Sequence, residues 1–221
     1  MSAGPAADLP PLLIACALRI ERTALRSGRE RDAPERYEVL RTGMGPRAAE
    51  RTVGRKLAEP EQHGAAVLAT GFCAGLLPGM SPGDLIVAEE TRDPRGTVAC
   101  AGTALLAEAL ARAVPGRTVH LGALTGSDHV VRGQERAELR AGGAIGVDME
   151  SAATLWTATR GGSAPEGADR PVAAVRVIVD APEHELVRIG TVRGGISAFR
   201  VLRAVLPAFY EWHRSLLLPR R

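Results

Sequence analysis

The chain is poor in aromatic residues, which make up 3% of its 221 positions. Its core must therefore be built from Ala, Val, Leu and Ile. The scarcity also excludes an interleaved aromatic and basic surface of the kind that stacks nucleic-acid bases. Cysteine is scarce too: Cys16, Cys73 and Cys100 are odd in number and far apart. That excludes a disulfide framework and a cysteine metal cluster. Cys16 and Cys73 lie in apolar runs and read as buried thiols, which favours a reducing cytoplasm. No apolar run approaches the roughly 20 residues of a membrane-spanning helix. The stretch Met1 to Pro11 is rich in Pro and Ala and has no basic region followed by an apolar one. The expectation is a disordered lead over residues 1–10 rather than a signal peptide.

What is present fits one sizeable domain, expected over residues 11–221. Hydrophobic residues make up 45%, and the net charge is +3 with pI near 9.1. The basic residues are spread along the chain, which suits a small anionic molecule better than nucleic acid.

Buried strands are predicted at Leu12–Leu18, Ala65–Thr70 and Pro171–Val179. Further strands are expected at Tyr37–Thr42, Leu85–Ala88 and Val119–Thr125. Helical spacing covers Arg47–Leu57, Thr103–Ala113 and Met149–Arg160, with Asp148 as the last helix's N-cap. A final helix is expected over Gly195–Leu218, broken near Pro207. Strands alternating with helices predict an α/β fold, a three-layer sandwich with a central mixed sheet flanked by helices. In such sheets, ligands sit at the carboxyl ends of the strands. Glu21, Gly43–Pro46, Gly71–Gly75 and Asp180 all follow predicted strands.

The segment Gly146-Val147-Asp148-Met149-Glu150-Ser151-Ala152-Ala153 places a Met-Glu pair at a helix start, and Asp180 ends an apolar strand. Two acids delivered to one pocket suit cleavage of a nucleoside at its glycosidic bond, where the sugar turns cationic and the base gathers electrons. Asp180 is the candidate general acid toward the purine N7. Glu150 is the candidate ligand of the ribose hydroxyls, with Met149 packed under the sugar. Glu21 is the candidate positioner of an attacking water. Each has a structural rival. Asp-Ala-Pro is good turn chemistry for Asp180, a first-turn Glu suits a helix dipole, and Glu21 could be a surface acid beside Arg19 and Arg22. The Gly43-Met44-Gly45 and Gly71–Gly75 stretches allow close approach to a ligand but equally make tight turns. Asp128 and His129 are candidates for the mouth of the site.

These residues resemble the purine and uridine phosphorylase superfamily, which includes the methylthioadenosine/S-adenosylhomocysteine nucleosidases. The resemblance runs from about Leu12 to Leu206. It is carried by Val147-Asp148-Met149-Glu150-Ser151-Ala152-Ala153 and Arg176-Val177-Ile178-Val179-Asp180. It implies catalytic roles for Asp180 and Glu21, and a substrate surround of Met149, Glu150, Phe72, Cys73, Gly75, Val147 and Val179. It implies a homodimer or larger assembly. No metal or organic cofactor is expected, since no ligand cluster occurs in the sequence. Phosphate is a candidate co-substrate, with Gly45 and Arg47 as its candidate ligands.

The departures are specific. Phe72 stands where nucleosidases have Ser, Val179 where Ser is common, and Ala69 where several phosphorylases hold phosphate with Arg. No Gly-Asp-Pro-x-Arg phosphate loop occurs. The region after Asp180 and Gly43-Met44-Gly45-Pro46 look closest to a hopanoid-associated branch, linked to removing adenine from adenosylhopane. The expected activity is cleavage of a 5′-substituted adenosine by phosphate or water. Methylthioadenosine/S-adenosylhomocysteine cleavage is the alternative, and a non-catalytic nucleoside-binding protein is the rival of another class. The apolar residues Leu202, Val205, Leu206, Phe209, Tyr210 and Trp212, followed by Arg220 and Arg221, read in two ways. They form either a channel for a lipid-like 5′ group with a basic end near a membrane surface, or a helix packed on the sheet.

Overall fold

A strand that is apolar on both faces needs cover on both sides, and this requirement organises the molecule. The computed structural model describes residues 9–28, 33–34, 36–160, 170–182 and 190–216. In β1 (Leu12–Cys16) every residue is buried. Leu12, Ile14 and Cys16 face one core cluster, while Leu13 and Ala15 face another. The first cluster is capped by α1 (Arg19–Ser27), α3 (Thr103–Ala113), α6 (Gly190–Ala204) and α7 (Leu206–Ser215). The second is capped by α2 (Pro46–Leu57) and α5 (Ser151–Arg160). The result is the expected three layers: helices, sheet, helices.

The described strands form one eight-stranded mixed sheet. β1 pairs in parallel with β2 (Tyr37–Arg41) and with β3 (Ala66–Gly75). β3 runs parallel to β8 (Val172–Asp180), from Val67 opposite Val172 to Cys73 opposite Ile178. β8 is antiparallel to β4 (Leu85–Asp93), which is parallel to β6 (Val119–Gly126). β6 is parallel to β7 (Ala144–Asp148), and β7 returns antiparallel to the end of β3 through Ala74–Val147 and Gly75–Gly146. The pairings β3–β8–β4–β6–β7–β3 thus close a circuit. That closure brings the ends of β3, β7 and β8 to one place.

Several elements differ from expectation. Gly71–Gly75 is not a loop, because β3 continues through it on the ladders of β8 and β7. A short hairpin strand, β5 (Gly96–Ala99), and the strand β7 were not legible in the sequence. Neither was α4 (Gln134–Ala141), a helix with no buried residue. The helix expected from Met149 begins at Ser151. The C-terminal helix is two helices, with Pro207 in the first turn of α7, where a missing N–H costs nothing. Leu202, Val205, Leu206, Phe209, Tyr210 and Trp212 are all buried in the main core. They fill the sheet-to-helix space and line no channel. Arg220 and Arg221 lie outside the described residues, as do most of the expected N-terminal lead and the 161–169 loop.

Candidate active site

A cavity of ≈ 280 Å³ opens where these strand ends converge. Each wall follows from the sheet path. The turn after β1 brings Leu18 and Glu21, β3 brings Phe72 and Cys73, and β8 brings Val179 and Asp180. The segment after β7 brings Asp148, Met149 and Glu150. Eight of the eleven expected site residues line this one cavity: Glu21, Phe72, Cys73, Val147, Met149, Glu150, Val179 and Asp180.

Behind the wall lies Arg176, 1% exposed. It sits mid-strand in β8, opposite Gly71 of β3. A guanidinium so deep needs a partner for nearly every donor. Its Nε lies 2.5 Å from Asp148 Oδ2 and donates to Ser151 Oγ at 2.8 Å. Its Nη1 donates to the Thr70 carbonyl at 3.0 Å, and Nη2 lies 3.8 Å from Glu150 Oε2. Burial opposes its charge, yet Asp148, Glu150 and Glu21 outweigh burial and raise its pKa above the usual value. Gly71 is required beside it. Its φ is +135°, and a Cβ there would come within 2.5 Å of Glu21 Oε1 and 2.6 Å of Arg176 Nη1.

Glu21 is not a surface acid. It is 2% exposed and held by three backbone donors. Its Oε2 accepts from Ala17 N at 2.9 Å and Leu18 N at 2.8 Å, and its Oε1 accepts from Phe72 N at 2.9 Å. It closes the first turn of α1 and ties it to β3. Oε1 keeps lone-pair capacity for a further donor.

Glu150 is 8% exposed, and its Oε1 accepts from Gly45 N at 2.9 Å. Gly45 has φ +85°, which lets the backbone turn its N–H toward the carboxylate. Burial raises the Glu150 pKa, Arg176 opposes that rise, and Asp148 adds to it. Asp148 is the cap it was expected to be, although it acts just ahead of the helix. Its Oδ1 accepts from Glu150 N at 3.0 Å and Ser151 N at 2.9 Å.

Asp180 has a partner that the sequence did not suggest. Arg136, in the first turn of α4, reaches inward and donates Nη2 to Asp180 Oδ2. Its Nε donates to the Val131 carbonyl at 3.2 Å.

Three expected residues fall elsewhere. Gly75 pairs with Gly146 inside the sheet, and its place is one of packing: a Cβ there would come within 2.8 Å of Met80 Sδ. Gly45 holds Glu150. Arg47 lines a neighbouring cavity of ≈ 520 Å³ with Glu50, Asp93 and Arg95. His129 does stand at the mouth, exposed. Its ring bonds Asp128 at 2.7 Å and Glu135 at 3.0 Å, which raise its pKa in that order. Burial raises the Cys73 thiol, and pushes that of Cys16 up to about 12. Neither is poised as a nucleophile. Among the described residues, no three His, Cys, Asp or Glu side chains are grouped to hold a metal, and no helix is long and apolar enough to cross a membrane.

A closed mixed circuit with acids at its strand ends defines a class. The family model of the phosphorylase superfamily matches residues 35–207. The chain belongs to that superfamily and is an enzyme of its nucleosidase and nucleoside phosphorylase kind. One similar solved structure is the 5′-methylthioadenosine/S-adenosylhomocysteine nucleosidase from Neisseria meningitidis in complex with methylthio-immucillin-A. It has a TM-score of 0.71 and 20% identity, covering 95% of this chain and 100% of that one. Another is a futalosine hydrolase mutant from Helicobacter pylori, with a TM-score of 0.69 and 16% identity over 91% and 98% of the two chains. The corresponding nucleosidase from S. pneumoniae gives 0.68 and 16% over 93% and 99%. At such identities the likeness is one of fold. No curated protein matches the chain.

Proposed function

We propose that this enzyme cleaves the N-glycosidic bond of a 5′-substituted adenosine and releases adenine. The observation that carries the reading is the joining of Glu21, Glu150 and Asp180 in one cavity, with Arg176 behind Glu150. Glu150 accepts from the ribose 2′ and 3′ hydroxyls while Met149 packs against the sugar. Glu21 Oε1 accepts from the attacking water and directs its oxygen to C1′. As that bond forms, the C1′–N9 electron pair leaves with the purine, Asp180 delivers a proton to N7, and the proton lost by the water passes to Glu21. Asp180 and Arg136 stand at the base end. The similar solved structures support the reading: they include a 5′-methylthioadenosine/S-adenosylhomocysteine nucleosidase and a futalosine hydrolase.

Water suits the site better than phosphate. Four carboxylates line the cavity, those of Glu21, Asp148, Glu150 and Asp180. Its one lining arginine, Arg136, is already engaged with Asp180. A phosphate dianion would meet like charge, and the arginines beside it, Arg136 and Arg176, are already paired with Asp180, Asp148 and Glu150.

The 5′ group is read as large and apolar. Phe72 and Val179 line the cavity, and Met44 and Val130 at its rim are 63% and 60% exposed. Adenosylhopane, the substrate of the hopanoid-associated branch that the sequence resembles, is such a molecule. The test is adenine release from adenosines of increasing 5′ chain length, with and without phosphate. Each added buried CH₂ contributes up to about 0.8 kcal/mol. More efficient cleavage of methylthioadenosine or S-adenosylhomocysteine than of any long-tailed substrate would replace the hopanoid reading with the nucleosidase one. Release that requires phosphate would replace hydrolysis with phosphorolysis. Binding without adenine release would leave a nucleoside-binding protein.

A further inference from the structure

Large apolar side chains left in water are few among the described residues, and they are not scattered. Ile20, Met44 and Val130 are each more than half exposed, and Leu121 is the other of this kind. The first three belong to one opening. Met44 and Val130 line the active-site cavity, and Ile20 lies in the first turn of α1 between Leu18 and Glu21, which line it too. Apolar side chains gathered at one place on a surface mark a contact with another molecule or with a membrane.

Exposed arginines stand around the same opening. Arg19 and Arg22 flank Ile20 and Glu21 on α1. Arg41 ends β2 in register with Cys16, the last residue of β1, and the charges of Arg22 and Arg41 both reach the Cys16 thiol. Arg47 opens α2 just after Met44, and its charge reaches Asp128, beside the His129 of the mouth. Arg132 follows Val131, another residue of the cavity wall. None of these arginines makes an ion pair among the described residues. Asp128 and Glu135 are both bonded to the ring of His129.

We propose that the mouth of the active site docks on an anionic phospholipid surface, with Ile20, Met44 and Val130 entering the acyl boundary and the arginines resting on the headgroups. Burial of the apolar tips and attraction of the basic rim to anionic lipid add to each other at such an interface. Other occupants fit one half of the surface only. A nucleic acid would use the arginines and leave the apolar tips in water. A second copy meeting this face across a two-fold axis would set the unpaired arginines against themselves. Docking would open the cavity toward the hydrocarbon, so a 5′ group anchored in a bilayer could enter without crossing water. That use rests on the reading of a large apolar 5′ group, whereas the surface rests on its own residues. The membrane contact thereby moves from the C-terminal helix, whose apolar side chains are spent in the core, to the mouth of the site.

The experiment floats the full chain with vesicles of phosphatidylcholine, alone or with roughly one third phosphatidylglycerol. Adenine release from methylthioadenosine in solution is measured alongside. The wild type should bind the anionic vesicles at least about a hundredfold more tightly than the neutral ones, and the preference should shrink as salt is raised. Each basic residue near an anionic surface is worth about fivefold in affinity, so Arg19→Gln combined with Arg22→Gln should weaken vesicle binding by about 25-fold. Ile20→Ser should weaken it by about five- to tenfold. None of the three residues lines the cavity, so both variants should keep adenine release within about twofold of the wild type. Equal binding to the two kinds of vesicle, or binding to neither, overturns the proposal. Anionic binding that Ile20→Ser leaves unchanged overturns it as well, because the apolar tips then stay in water. A dimer by light scattering that Ile20→Ser dissociates assigns the face to a second copy and also overturns it. Adenine release without vesicle binding sinks only the docking surface. Vesicle binding without adenine release leaves that surface standing and sinks the functional reading.

Discussion

Replacing Arg176 by Met is the sharpest test of how the site is held together. The substitution keeps an unbranched chain of similar reach and removes the charge. Asp148 Oδ2 then loses a cation 2.5 Å away, in a side chain only 1% exposed. Ser151 Oγ and the Thr70 carbonyl lose their donor, and Glu150 loses the charge that opposes its raised pKa. Breaking a buried ion pair from one side costs about 3–5 kcal/mol. For a chain of this size, each kcal/mol lowers Tm by roughly 2–4 °C, so the fall should be about 6–20 °C. The loss should depend on pH, and its sign follows from Glu150. A carboxyl whose folded pKa lies above the ordinary 4.5 binds more protons folded than unfolded. Its contribution is fully present below the unfolded value and is lost as pH rises through the folded one. Removing Arg176 raises the folded value further. The deficit of Arg176→Met should therefore be largest near pH 8 and shrink toward about pH 5. Thermal melts across that range, followed by circular dichroism, measure it. A variant that melts within about 2 °C of the wild type at neutral pH, or whose deficit does not change with pH, would refute the claim that Arg176 organises the acids.

Glu150→Gln should reduce kcat/KM on ribosides by about 10- to 100-fold, as expected for a lost charge-assisted bond, and less on 2′-deoxyribosides. Equal losses on both would count against a 2′-hydroxyl contact. Glu21→Gln has one acceptor oxygen for three backbone donors, so turnover should fall by about 10²-fold or more while adenine still binds. Near-wild-type turnover would remove Glu21 from the reaction. Gly71→Ala combines a backbone conformation that disfavours a side chain with a Cβ pressed on Glu21 and Arg176. It should cost about 1–3 kcal/mol and most of the activity, and an unchanged melt with full activity would contradict the geometry.

The three acids were legible in the sequence because each sits at a recognisable boundary. Glu21 and Asp180 follow apolar strands, and Glu150 precedes a helix. Their partners were harder to see, for different reasons. Arg176 stood in plain view: a single charge inside the run Val172-Ala173-Ala174-Val175-Arg176-Val177-Ile178-Val179, all of which is buried except for a half-buried Val179. A charge in the middle of such a strand requires a buried counter-charge, and that signal was available. Arg136 gave none. α4 has no buried residue, and its contact with Asp180 spans 44 residues. β7 was masked by its own function, since Ala144–Asp148 is short, contains Gly146 and runs straight into the Asp148 cap. Gly71–Gly75 misled because glycine suggests a turn. Here its lack of a side chain leaves room for Glu21 and Arg176 behind the strand.

The charges left after pairing have a direction. Around the proposed sugar position, Glu21, Asp148 and Glu150 face the single guanidinium of Arg176, which leaves that end net negative. At the proposed base end, Asp180 is matched by Arg136, which leaves that end nearer neutral. Glycosidic cleavage separates charge in the same sense, with the sugar becoming cationic and the base anionic. The surrounding wall of Leu18, Phe72, Val131, Val147 and Val179 lowers the local dielectric and strengthens both interactions. The acids are also fixed before any substrate arrives. Glu21 is held by three backbone amides and Glu150 by Gly45, so little reorganisation is needed as charge develops. Fixing them this way explains why backbone at Gly45 and Gly71, rather than further side chains, surrounds the carboxylates: a larger residue at Gly71 would displace Glu21 and Arg176, whose charges the site depends on.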